Sequence, residues 1–336
     1  MSSSLSSSDL SLISTLNSLT PHLNRYLSII ILLFGTVGNI LNCIALSQRG
    51  LRSNPCASLF LASSVASLIT LISGVAVRLL AGWSLDLTDT IGWLCKLRIF
   101  ILFASRTIAS WFIMLATFDR WLSSSKDANR RQKSTLKNAR IGMMIVICLT
   151  CLAYAQIFYC YEANLTNAPL KCYGKTIWCR LLIDSEFTGI SILLPSILML
   201  FFGLKTIATI RTSGRHRIAP VTMTAGSQNQ STKTSHRSRR TDHYLFVMLF
   251  VQVVLLTLFS LPQAIQNLYA NATRNETKPA LTIAINNFVF NLFLLLTYVT
   301  NGMPFYIYTL TGGSVFRQAL KNALKDCFHR ITFRRE

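Results

Sequence analysis

Acidic charge is what this chain has least of: 12 Asp and Glu stand against 33 Lys and Arg, and charged residues of either sign are only 13% of its 336. A soluble protein of this size carries about twice that fraction. Apolar residues make up 51%, so the composition points to a chain that lives in a bilayer. Nine cysteines are too few for a disulfide scaffold, but they leave room for one or two bridges outside the cell. Histidine is equally sparse. His22, His216, His236, His243 and His329 all fall in loops, tails or at a helix foot, and the long apolar stretches carry no Asp or Glu. Intramembrane metal hydrolases need such ligands, and no Ser–His pair can form there, so no catalysis, metal or cofactor is expected. Internal repeats and paired intramembrane charges, the marks of a transporter, are missing too. Residues 1–24 are rich in Ser, without the basic and apolar regions of a cleavable leader, and read as a flexible extracellular tail.

What is present is a series of long uncharged stretches. A membrane-spanning helix needs about 20 apolar residues, because the hydrocarbon core is about 30 Å thick and each residue rises about 1.5 Å. Stretches 26–48, 53–77, 99–118, 141–161, 187–204, 244–273 and 279–316 meet that requirement, and only Arg106 interrupts one of them. Lipid cannot hydrogen-bond a backbone, so each should be helical. The last is too long for one span. Gly312-Gly313 is the expected break, after which 314–328 reads as an amphipathic helix lying on the membrane. The expected fold is an all-α membrane protein, a seven-transmembrane helix bundle plus a short amphipathic eighth helix. Residues 25–311 form the bundle and 312–336 the amphipathic helix and tail, while the basic connection 211–241 is expected to be flexible.

Basic residues fix an expected orientation. Alternate connections 49–52, 120–140 and 205–240, with the chain from Arg317 onward, hold 23 of the 33 Lys and Arg. The positive-inside rule puts these in the cytoplasm and the N-terminus outside, on a plasma-membrane protein. The +21 charge is then topogenic and lipid-facing, not a nucleic-acid footprint. Glycosylation sequons at Asn164, Asn271 and Asn275 fall in loops placed outside, whereas that at Asn229 falls inside.

The third stretch carries the most informative pair. Cys95 opens it and Asp119-Arg120-Trp121 closes it, with roughly 37 Å of helix between Cys95 and Arg120. Other landmarks follow in order: Gly38-Asn39, Leu61-Ala62, Pro195, Pro262, Pro304-Phe305-Tyr306-Ile307-Tyr308 and Phe316-Arg317. Together these resemble the rhodopsin-like (class A) G-protein-coupled receptors over most of the chain, in a divergent form, with an ending that leans toward invertebrate neuropeptide receptors. The resemblance implies a disulfide from Cys95 to the second outer loop. Cys172 and Cys179 are the candidates, and Cys172, 23 residues before Pro195, leaves the longer loop to fold over a pocket; Cys179 could then pair with Cys160. It also implies that Asp119, Arg120, Trp121 and Tyr308 form the G-protein switch. Asp242, at the foot of the sixth helix, would pair with Arg120; its alternative role is to cap that helix with Thr241. Cys327 is a palmitoylation candidate or a plain buried thiol. The implied partners are the lipid bilayer, an extracellular ligand, a heterotrimeric G protein and arrestin.

Several family features are altered. Val65 stands where the second span usually holds an acid, Ser260 replaces the sixth-span Trp, and Pro304-Phe305 replaces Asn-Pro. Sodium modulation is therefore not expected, and a receptor that binds ligand with little G-protein coupling is the alternative reading. No acid lies in the outer half of the third span, where amine receptors carry one; Leu102 stands near that place. Basic residues stand there instead: Arg78, Lys96, Arg98 and Arg106. A charge as deep as Arg106 costs about 3 kcal/mol by insertion scales, so it needs a partner inside the bundle. That partner is either an anionic or carbonyl-rich ligand group or an internal amide such as Asn286, Asn287, Asn291 or Gln263. Arg98, Leu102, Arg106, Gln263 and Gln266 are the expected ligand contacts, and a peptide the expected ligand.

Overall fold

The structure is a computed structural model. It describes residues 6–83, 85–166, 170–215, 229–273, 276, 278–311, 316–318, 320–322 and 325, with side chains for all of these except 49, 50, 210–215, 229–249 and 311. Seven helices are long and apolar enough to cross a membrane: α1 (Ser7–Leu46), α2 (Pro55–Gly82), α3 (Gly92–Ser124), α4 (Leu136–Cys160), α5 (Ile177–Thr209), α6 (Phe250–Ala272) and α7 (Ala280–Gly302). A two-stranded hairpin, β1 (Tyr161–Glu162) and β2 (Tyr173–Gly174), lies between α4 and α5. A further helix, α8 (Pro304–Thr311), follows α7.

Local chemistry starts these helices where they start. Asn54 caps α2 by accepting from the Cys56 backbone N–H at 3.0 Å, with Pro55 in the first turn, where its missing N–H costs nothing. Thr135 caps α4 and Thr176 caps α5 in the same way, at 3.2 Å each. Two wide π-type turns interrupt the regular ladder, Leu71–Ala76 in α2 and Phe187–Leu193 in α5.

The helices turn apolar faces outward: Leu33, Phe34 and Val37 on α1, Met144, Leu149 and Leu152 on α4, and Ile197, Phe201 and Leu204 on α5 are all exposed. Only lipid makes that arrangement stable over seven helices, and the chain is a multi-pass membrane protein. Along its most apolar stretch α3 is 67% buried and α4 only 17%, so α3 is the axis of the bundle. Close approach depends on small residues elsewhere. A Cβ on Gly302 would come within 3.0 Å of the Gly35 Cα, which puts the α1 and α7 backbones nearly in contact.

Four expectations need correction. The tail is not free of structure, because α1 begins at Ser7 and runs for 40 residues. Its 60 Å or so of length is about twice the hydrocarbon thickness, and its first turns are largely exposed. The connection 211–241 is helical at both ends, in segments Leu194–Arg215 and Asn229–Ala272; residues 216–228 lie outside the described ones. The last apolar stretch breaks at Met303, where Pro304 cannot donate to the α7 ladder, and Gly312-Gly313 lies outside the described residues. Val65 is 46% exposed on the outward face of α2. The inward polar position beside it is Ser64, which accepts from Asn42 at 3.3 Å. Of the amphipathic helix, Phe316 is buried against Phe305 and Tyr308.

Candidate functional site

One helix joins two distant sites. At one end of α3, Cys95 is bonded to Cys172, with the two Cα atoms 5.8 Å apart. A second bridge, Cys160–Cys179, ties the end of α4 to the start of α5. Between these bridges the hairpin pairs Tyr161 with Gly174 and Glu162 with Tyr173. Gly174 is needed there, since a Cβ would meet the Arg180 side chain at 2.8 Å. The Arg180 Nε donates to the Gly174 carbonyl at 2.6 Å, and its guanidinium lies 4.9 Å from the Tyr173 ring. Burial pushes the Tyr161 hydroxyl well above its usual pKa, so it stays neutral.

Beneath the hairpin is a small cavity of about 70 Å³. The connection contributes Tyr161, Leu170, Cys172 and Tyr173 to its lining; α3 contributes Arg98, Ile99, Leu102, Phe103 and Arg106. The rest of the wall comes from Arg78 of α2, Asp184 and Phe187 of α5, Gln263 and Asn267 of α6, and Phe290, Leu294 and Tyr298 of α7. A mostly apolar pocket with a few convergent polar groups is the usual form of a ligand-binding site.

Three arginines reach it, with different fates. Arg98 is spent on structure: it pairs with Asp86 at 3.8 Å and donates to the Ser73 carbonyl and to Thr88 Oγ1 at 3.0 and 2.9 Å. Arg106 meets none of the amides considered as internal partners. Among the described residues its side chain makes a single, long hydrogen bond, to the Thr297 carbonyl at 3.4 Å, and its guanidinium lies 4.6 Å from the Phe187 ring and 5.7 Å from that of Tyr298. Arg78 is buried, and its Nε has no hydrogen-bond partner among the described residues.

The opposite wall holds an acid that the sequence reading left out. Asp184 lies within α5, which begins at Ile177 and not near Phe187, so the bundle helices are not free of acids. Delimiting spans by their lack of charge put Asp184 outside by construction. A usable signal was the amide stripe at Gln263, Asn267 and Asn271, four residues apart on one face of α6. Gln263 donates to Asn267 at 2.7 Å, Asn267 to Asp184 at 2.9 Å and Asn271 to Asp184 at 2.8 Å. Gln266 is off this face and does not line the cavity, whereas Leu102 and Gln263 do.

Below the cavity the wide turn of α5 is engaged by α3. Trp111 Nε1 donates to the Ile190 carbonyl at 2.9 Å, and Thr107, Tyr154 and Ser191 form a buried hydroxyl cluster joining α3, α4 and α5.

At the far end of α3, Arg120 lies 3.4 Å from Asp119 and donates to Asn54 Oδ1 at 2.8 Å, the atom that also caps α2. Asp119 accepts from Ser134 at 2.6 Å. Trp121 packs against Phe118 and Phe202. Tyr308 is buried between Phe60 and Phe316 and donates to Gln252 at 3.1 Å. The side chain of Asp242, and Asn275 and Cys327, lie outside the described residues. Asn164 is exposed, with a left-handed φ of 61°, while the Asn271 amide is occupied by Asp184.

No family model matches this chain, and no curated protein matches it.

Proposed function

We propose that this membrane protein is a receptor of the rhodopsin-like G-protein-coupled type. In this reading it binds an extracellular ligand, with a peptide the favoured class, and activates a heterotrimeric G protein. The observation that carries the reading is the layout of α3: a disulfide-bridged end, a cavity below it, and the Asp119-Arg120 pair at the opposite end of the same buried helix. Cavity and charged end share one rigid element, so a ligand that shifts α3 against α5 or α6 changes the surface around Arg120. The resemblance in landmark residues supports the same reading, with the disulfide end outside, in the plasma membrane, and the Arg120 end in the cytoplasm.

The resting state is a latch. Arg120 is held by Asp119 and Asn54, and Asp242 is its proposed third partner from the sixth helix. The Arg120–Asp119 contact is long, 3.4 Å, and Arg120 keeps some exposure, so the latch biases an equilibrium instead of locking it. Ligand binding favours the open state by its differential affinity for that state, and the G protein enters beside Arg120. Arrestin would use the same opening.

Cells expressing the receptor with a promiscuous G protein and screened against peptides should show ligand-dependent nucleotide exchange that Arg120→Ala abolishes. Asp242→Asn should raise exchange without ligand. A ligand that binds while wild-type exchange stays at background would leave the protein as a binding receptor without coupling, in line with its altered second, sixth and seventh helices.

A further inference from the structure

Two arginines are buried in the cavity wall without an acid of their own. Arg78 and Arg106 are each only 7% exposed, and among the described residues neither forms an ion pair. Arg78 makes no hydrogen bond among those residues, and its Nε is fully enclosed. A guanidinium carries five donors and keeps its charge in any protein, so leaving it unpaired in an apolar wall is costly. Tyr298 is a neighbour of both. Its ring packs on Gly74, one helical turn before Arg78, and Arg106 lies over the same ring. Both side chains line the one cavity.

From this we infer that the cavity recognises a carboxylate, bound by Arg78 of α2 and Arg106 of α3, on a ligand with an apolar body. The planar fork of Arg fits a carboxylate with two parallel hydrogen bonds, which a carboxamide cannot match. Leu102, Phe103, Phe290 and Leu294 supply the apolar wall for the rest of the ligand. Asp184 makes the site directional. Held by Asn267 and Asn271, it keeps a negative group on the α5–α6 side, so a carboxylate is repelled there and drawn to the arginines. The anion can be the free end of a peptide or a small organic acid; both present the same group.

The inference rests on the receptor reading for the use made of the cavity, but its test needs no signalling. Purified full-length protein in detergent is melted with benzoate, hexanoate, and short peptides ending in Phe or Leu as free acids, each against its carboxamide and against sodium chloride. Carboxylates should raise the melting temperature saturably, with carboxamides needing roughly tenfold or more higher concentration. Stabilisation by peptide acids alone assigns the anion to a peptide terminus, and by the small acids too, to a free organic acid. Arg78→Gln and Arg106→Gln should each erase the acid preference, and Lys at either place should keep part of it. The inference is overturned if no carboxylate stabilises the wild type, if acids and amides act alike, or if the preference survives both Gln variants. Should the variants fail to fold, the wild-type acid–amide comparison still decides. Carboxylate binding without nucleotide exchange would retire the coupling proposal and keep this site, whereas exchange driven by ligands indifferent to both arginines would do the reverse.

Discussion

Arg78 and Arg106 sit in the same wall but are supported differently, and that difference predicts different mutational costs. Arg78 has no hydrogen bond or ion pair among the described residues, and only the more distant Asp86 and Asp89 offset its burial, which is therefore a cost to the fold. Replacing such a group by an apolar one of similar length is commonly neutral or stabilising. Arg78→Met should therefore leave the ligand-free melting temperature unchanged or raise it, by up to about 2 kcal/mol of stability. Arg106→Met forfeits the contact with Phe187, about 0.5–2 kcal/mol, and should gain less. A marked loss of stability in Arg78→Met would mean that the side chain is structural. Gly74 offers the opposite test. A Cβ there would press on the Tyr298 ring, with its Cζ and hydroxyl at 2.7 Å, and that ring is fully buried. Gly74→Ala should cost about 1–3 kcal/mol in a melt, by overpacking, and should disturb the arginine site that shares the ring.

Among the elements, the connection from α4 to α5 is the one built most firmly. Cys95–Cys172 closes 77 residues and Cys160–Cys179 closes 19. By loop-closure entropy the first is worth about 4.5 kcal/mol and the second about 3. Cys160→Ser with Cys179→Ser should thus lower the melting temperature less than Cys95→Ser with Cys172→Ser, under one set of detergent conditions. Equal losses would show that strain or packing, not chain entropy, sets the stability of the connection. The first of these pairings was legible through the family resemblance, with spacing favouring Cys172 over Cys179, and the seven helices were legible because lipid imposes length and apolarity on each stretch independently of the fold. Boundaries were not. Ser7–Leu46 extends a whole second span's length beyond the apolar run, since Ser and Thr with interspersed Leu continue a helix that nothing terminates. Asp184 was missed for a related reason: a buried acid held by amides on the next helix looks, in sequence, like the edge of a loop. Arg106 was found because an unpaired charge in an apolar run needs no partner to be noticed.

For the whole molecule, the sequence could supply polarity where the helix bundle by itself could not. Seven helices pack identically whichever way they face, and the proposed direction rests on 23 of 33 basic residues lying on alternate connections and the chain from Arg317. The four sequons read that direction out, because glycan is added only on the lumenal side, which becomes the outer face. Asn164 is exposed in the connection between α4 and α5, on the cavity side, and is the best placed acceptor among the described residues. The Asn164 amide donates to the Thr90 carbonyl at 3.1 Å in an exposed setting, whereas that of Asn271 donates to the buried Asp184, which leaves a glycan less room there. Asn229 opens a helical segment on the basic side. Glycosidase digestion of the expressed protein should therefore produce a mobility shift that Asn164→Gln reduces or abolishes. Asn271→Gln should change it little, and Asn229→Gln not at all. A shift that depended on Asn229 would invert the molecule, put the cavity in the cytoplasm and remove the basis for an extracellular ligand.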